Sequence, residues 1–164
     1  MILKQNKWVL PLLAILSLPT LSWALPEDSQ QEIQISSDSA SLDKIQGLII
    51  YTGNVKMTQG TLNIQADKII LTRNNDGLQK VKALGNPAHY EQVISLQEGK
   101  TQASGNTIIY HAASEELVLI DNAALEKQGN LFSGEKIVYL INEQRIKADS
   151  RVHMVIQPKQ EQEQ

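Results

Sequence analysis

The chain contains no cysteine. That absence excludes a disulfide scaffold and any zinc-thiolate centre. Aromatic residues are scarce, at 4% of 164 residues: two Trp, four Tyr and one Phe. There is no excess of positive charge, with 15 Lys and Arg against 18 Asp and Glu, and no basic run. Nucleic acid is therefore not an expected partner, because that binding rests on phosphate neutralisation. The same balance argues against attraction to an anionic lipid surface. No apolar run reaches the roughly 20 residues of a membrane-spanning helix. A multi-pass membrane protein is excluded.

Catalytic signatures are missing as well. There is no Gly-x-Ser-x-Gly elbow, no phosphate-binding loop and no dinucleotide fingerprint. His89, His111 and His153 fall on different strands or strand ends, without the short spacing of a metal pair. The carboxylates are scattered, and Asp38 and Glu115-Glu116 read as solvated turns. No catalytic residue, metal or cofactor is expected, and the chain is not read as an enzyme.

What is present begins with an address. Lys4 and Lys7 precede an apolar run from Trp8 to Leu21, followed by Ser22-Trp23-Ala24 with small residues at the −3 and −1 positions. This is the three-part pattern of a secretory signal. Pro11 and Pro19 weaken the other reading, an uncleaved anchor. Cleavage after Ala24 removes both Trp and two Lys, moving the net charge from −3 to −5. The expected organisation is a signal at 1–24, one domain at 25–157 and a disordered polar tail at 158–164.

The rest of the chain alternates with period 2. Ile33 and Ile35, Val55 and Met57, Leu62 and Ile64, and Ile146 and Ala148 each alternate with polar neighbours. Such segments are half-buried strands. Apolar runs occur at 47–51, 68–71, 107–110 and 136–141, separated by turn signals such as Gln59-Gly60, Gly85-Asn86-Pro87 and Gln128-Gly129-Asn130. No stretch holds a 3.6-residue period for three turns. The class is all-β, with roughly 14–16 short antiparallel strands.

Two short signatures recur. A small residue followed by Asp, Asn or Glu stands at Ser37-Asp38, Ala66-Asp67, Gly105-Asn106 and Gly134-Glu135, at steps of 29, 39 and 29. Gly53-Asn54-Val55, Gly85-Asn86-Pro87 and Asp121-Asn122-Ala123 interleave, at steps of 32 and 36. A quasi-period near 30 indicates repeated strand units that cannot bury their apolar faces alone. The unequal steps favour two sheets folded over one another, in jelly-roll style.

These motifs carry a resemblance. Ser37-Asp38, Ser41-Leu42-Asp43, Thr52-Gly53-Asn54-Val55, Gln59-Gly60-Thr61-Leu62 and Ala66-Asp67-Lys68-Ile69 resemble the OstA-like repeat of lipopolysaccharide export. Gly85-Asn86-Pro87-Ala88, Asp121-Asn122-Ala123 and Ser133 to Tyr139 extend the likeness over about residues 32–156. Asp121 departs from the family's usual Gly, although Asp also suits a turn.

The resemblance implies an OstA-type open β-jellyroll with an apolar interior groove, in the soluble periplasmic member of the family. It implies passage of lipopolysaccharide, through its lipid A acyl chains, along that groove during outer-membrane assembly. It also implies edge-strand pairing with an LptC-like inner-membrane component and an LptD-like outer-membrane component, and head-to-tail self-association. One alternating face from each strand supplies the candidate lining: Ile33, Ile35, Val55, Met57, Leu62, Ile64, Ile69, Leu71, Tyr90, Ile108, Tyr110, Leu117, Leu119 and Val138. The candidate partner edges are the first strand, with Ile33 and Ile35, and the last, with Val152, Met154, Val155 and Ile156. Two other readings remain: a periplasmic polysaccharide-binding or polysaccharide-degrading β protein, and a filament-forming β protein indifferent to lipid.

Overall fold

Period-2 alternation makes a strand amphipathic, and a sheet built from such strands must cover one face. The computed structural model describes residues 28–75, 77–95 and 99–158. A single 3-10 turn at Asp28–Gln30 precedes ten strands. These are β1 (Ile33–Ser36), β2 (Ser39–Asp43), β3 (Leu48–Gln59), β4 (Leu62–Asn74), β5 (Gly77–Ser95), β6 (Gly99–His111), β7 (Glu116–Lys127), β8 (Asn130–Leu140), β9 (Arg145–Asp149) and β10 (His153–Val155). The expected signal at 1–24 and all but the first residue of the expected tail lie outside the described residues.

All ten strands belong to one antiparallel sheet, in the order β1-β3-β4-β5-β6-β7-β8-β10. β2 pairs with the first half of β3, and β9 with the second half of β8. The six strands β3 to β8 each run through a sharp bend. Pairing skips between Thr52 and Val55, Gln65 and Lys68, Leu84 and Ala88, Ser104 and Thr107, and Ile120 and Ala123. Bulges of this kind bend a strand without ending it. Ten continuous strands thus contain sixteen straight segments, which is why the sequence reads as 14–16 short ones.

The bends align into one crease across the sheet. Every copy of the two recurring signatures lies on it, so the quasi-period marks the fold line. Gly53 (φ +82) and Asn54 (φ +47) adopt left-handed backbone there, a region open to Gly and tolerated by Asn. Asp121 (φ +60) does the same, which explains how Asp serves where the family has Gly. At the N-terminal end of the crease, Asp38 donates its N–H to the Gly53 carbonyl at 3.0 Å and accepts from Asn54 Nδ2 at 2.9 Å. At the other end, the Glu135 N–H donates to the Ser150 carbonyl at 3.0 Å, and Arg151 pairs with Glu135.

The crease divides the sheet into two wings of eight segments each. The first wing runs from β2 to β9, the second from β1 to β10. Their inner faces meet. Tyr90 of the second wing lies 6.4 Å, centroid to centroid, from Tyr110 of the first.

Candidate binding slot

Cross-strand pairing arranges the inner side chains in ladders. On the second wing one ladder runs Ile35, Met57, Ile64, Tyr90, Ala103, Leu125, Phe132, Met154. On the first wing a ladder runs Ala40, Tyr51, Ile69, Ala83, Ile108, Leu119, Ile137, Ala148. A parallel one runs Leu42, Ile49, Leu71, Val81, Tyr110, Leu117, Tyr139, Ile146. Each is apolar from one edge of the sheet to the other. Their centres are buried, while Leu42 and Met154 at the ends are 57% and 48% exposed. A core serving only one closed domain needs no such apolar ends, because edge strands normally carry polar or charged side chains.

The interior is not filled uniformly. Near the N-terminal edge the wings stand apart around a cavity of about 890 Å³. Ile33, Ile35, Leu62, Leu71 and Tyr110 line it, as do Ile49, Tyr51, Leu78 and Ala112. The 28–31 segment sits at its rim. Asp28 Oδ1 accepts the Thr61 N–H at 2.7 Å, and Oδ2 accepts from Thr61 Oγ1 at 2.6 Å and Gln92 Nε2 at 2.7 Å. Gln59 Nε2 donates to the Ser29 and Gln31 carbonyls. Toward the C-terminal edge the wings close. Leu117, Leu119, Leu125, Ile137 and Tyr139 are fully buried there.

The candidate lining therefore separates into three groups. Five residues, Ile33, Ile35, Leu62, Leu71 and Tyr110, face the cavity. Eight more, Val55, Met57, Ile64, Ile69, Tyr90, Ile108, Leu117 and Leu119, are buried in the core. Val138 is a correction: it pairs with Val118 on the outer face, while its neighbours Ile137 and Tyr139 point inward. Ile49 and Tyr51 are additions from the sequence 48–51, which is apolar on both faces and gives no sign of which face is inside. At the last strand, Met154 pairs with Phe132 on the inner face and Val155 with Leu131 on the outer. All four Tyr lie on inner ladders. A polar depression of about 430 Å³ on the outer face, around Asn63, Gln65, His89, Glu91 and Gln102, is a separate feature.

Burial governs the interior titrations. It pushes the Tyr90 hydroxyl well above the ordinary phenol value. Burial, with smaller repulsions from Glu115 and Asp28, pushes Tyr110 up to about 12. An unfolded tyrosine titrates near 10. The folded value is the higher one, so this contribution to stability is complete below about pH 10 and is lost as the pH rises toward 12. Urea midpoints measured across that interval should fall steadily, and Tyr110→Phe should flatten the slope. An equal slope in the variant would exclude Tyr110 as the cause.

The fold and site together are those of a bent antiparallel sheet whose apolar interior reaches both of its edges. The model of the LptA/(LptD N-terminal domain) LPS transport protein family matches residues 34–145. The chain belongs to that family. It is 38% identical over 152 residues to the lipopolysaccharide export system protein LptH of Pseudomonas aeruginosa, covering 85% of this chain and 87% of that one. It is 36% identical over 167 positions to LptA of Escherichia coli K12, covering 96% and 89%. The crystal structure of Pseudomonas aeruginosa LptH superimposes with a TM-score of 0.77 at 38% identity, over 81% of this chain and all of that one. These relatives are transport proteins, and the family is not enzymatic.

Proposed function

We propose that the chain is a periplasmic carrier of lipopolysaccharide, delivered by a cleaved signal. It bridges an LptC-like inner-membrane component and an LptD-like outer-membrane component without chemistry of its own. The observation that carries this reading is the apolar inner face that continues to both exposed edges. Each methylene withdrawn from water stabilises by about 0.8 kcal/mol, so acyl chains gain from any slot that stays apolar along its length. The aliphatic ladders supply the apolar part of the wall, and Gln59 and Asp28 at the rim have polar atoms hydrogen-bonded to the protein.

Strand parity supports bridging. Each wing has eight segments, so the first and last run in opposite directions. A second copy, or a homologous edge, adds antiparallel strands to both wings at once. If the register within the sheet continued across the junction, Arg145 of β9 would stand opposite Asp43 of the next copy's β2, a complementary pair. Head-to-tail addition of this kind does not close. A polysaccharide platform is the weaker reading, because every Tyr side chain is turned inward.

A photo-crosslinking residue at Ile35 or Tyr110 should capture lipopolysaccharide in cells. Absence of an adduct there and at Ile33, Tyr51 and Leu62 would refute the slot. Equal association of purified protein with and without lipopolysaccharide, in a native mass spectrum, would favour a lipid-indifferent filament.

A further inference from the structure

The crease joins the wings along one side of the slot. On the opposite side the hairpin ends of the two wings face each other across a seam. Near the N-terminal edge that seam is parted: Gln59 and Leu62 of the second wing and Arg73, Leu78 and Ala112 of the first line the same cavity. On the second wing, the inward row nearest the seam differs in character from the apolar ladder beside it, which runs from Ile35 to Met154. Gln59 and Leu62 pair at its start, and Gln92, Thr101, Lys127 and Asn130 follow in direct pairing from β5 to β8. Gln59, Thr101 and Lys127 are the buried polar side chains among the described residues, and all three stand on this row.

Each polar member but one is engaged within the chain. Gln59 Nε2 donates to the Ser29 and Gln31 carbonyls. Gln92 accepts from the Tyr90 hydroxyl and donates through Nε2 to Asp28 Oδ2 at 2.7 Å. Lys127 Nζ, among other contacts, donates to the Tyr139 hydroxyl of the first wing at 2.9 Å and lies 5.1 Å from the centroid of that ring. Asn130 Oδ1 accepts the Gln157 N–H at 3.1 Å. Thr101 is the exception. Its side chain is fully buried, and its Oγ1 has no hydrogen-bond partner among the described residues. A hydroxyl withdrawn from water without a partner is costly, and native chains rarely keep one without a use.

We propose that this row is a track for the polar linkage of an acyl-bearing lipid, with Thr101 Oγ1 donating to the ester or amide carbonyl of a bound chain. The inference rests on the reading of the slot as a lipid path. An amphiphile in the slot has its hydrocarbon against the apolar ladders and its headgroup at the seam. The bonds that join the two lie between, where this row runs. Successive inward side chains of one strand are two residues, about 7 Å, apart, so a carbonyl at Thr101 leaves the chain beyond it to cover Ala103. Thr101 stands one strand past Gln92, about 5 Å, and Gln92 is tied to Asp28 at the cavity rim. Lipid advancing from the cavity toward the C-terminal edge therefore meets Thr101 as an inward hydroxyl not already engaged. A carbonyl accepts its bond well and an ether oxygen poorly, so the site selects carbonyl-linked chains over ether-linked ones.

The test uses the mature chain and two probes, purified lipid A and an analogue whose chains are attached through ethers. Affinities are read by titration calorimetry. Thr101→Val removes the hydroxyl and keeps the branched shape. It should weaken binding of lipid A by about five- to tenfold, the scale of one uncharged hydrogen bond, and shift the ether analogue by less than about twofold. Thr101→Ser should restore the preference for lipid A. The urea midpoint of Thr101→Val should equal or exceed that of the unaltered chain, because no bond within the protein is lost. A lowered midpoint would show that the hydroxyl is already engaged in the free chain. That result, or an equal effect on both probes (none included), overturns the track alone. Failure of the unaltered chain to bind lipid A overturns the slot, and the track with it.

Discussion

Replacing Leu117 by alanine should lower the unfolding free energy by about 2–5 kcal/mol, the range for a truncated core leucine. Leu117 is fully buried, and its ladder neighbours are the large side chains Tyr110 and Tyr139. Those rings are tied to other partners, Tyr110 against Tyr90 and Tyr139 to Lys127, so they are poorly placed to collapse into the space. The same truncation at Leu42, on the same ladder but at the edge and 57% exposed, should change stability by less than about 0.5 kcal/mol. It should instead weaken capture of lipid or of a neighbouring strand. Urea unfolding of both variants separates the two roles. A loss below about 1 kcal/mol at Leu117 would mean that the centre is loosely packed.

The second large effect is expected at the crease. A Cβ on Gly85 would lie 2.7 Å from the Ala88 nitrogen and 3.0 Å from the Ala88 Cα and the Pro87 carbonyl carbon. All three atoms are backbone, so no flexible side chain can yield. Gly85→Ala should therefore cost about 1–3 kcal/mol, as overpacking does, and Gly85→Val more. The bend sets the angle between the wings, so lipid capture at Tyr110 should fall together with the melting temperature. A Gly85→Val variant that melts like the unaltered protein would show that the crease can relocate.

Much of this architecture is legible in the sequence because strand alternation has a period of two and one face is buried throughout. The pairs Val55 and Met57, and Leu62 and Ile64, are assigned inward by their polar neighbours alone. Legibility fails where both faces are apolar. In 136–141 the pattern does not distinguish Ile137 and Tyr139 from Val138; the pairing of β8 with β7 does. The recurring Gly-Asn and Ala-Asp signatures read as turns that end strands. They are bends within strands, a difference that depends on whether hydrogen bonding resumes on the far side. The Lys127–Tyr139 contact has no sequence signal, since a lysine at a strand end normally points to water. Asp28 is equally silent: its role comes from Thr61 and Gln92, 33 and 64 residues away.

Eight segments per wing have a consequence for the geometry of a stack. Adjacent strands rotate in one sense by roughly 10–25° each, so one copy turns the sheet by on the order of 80–200°. In the proposed assembly the seam of the next copy therefore opens toward a different side. A headgroup following the seam would trace a spiral around the bridge, and each copy added would change the direction in which the cargo is delivered as well as the distance it travels.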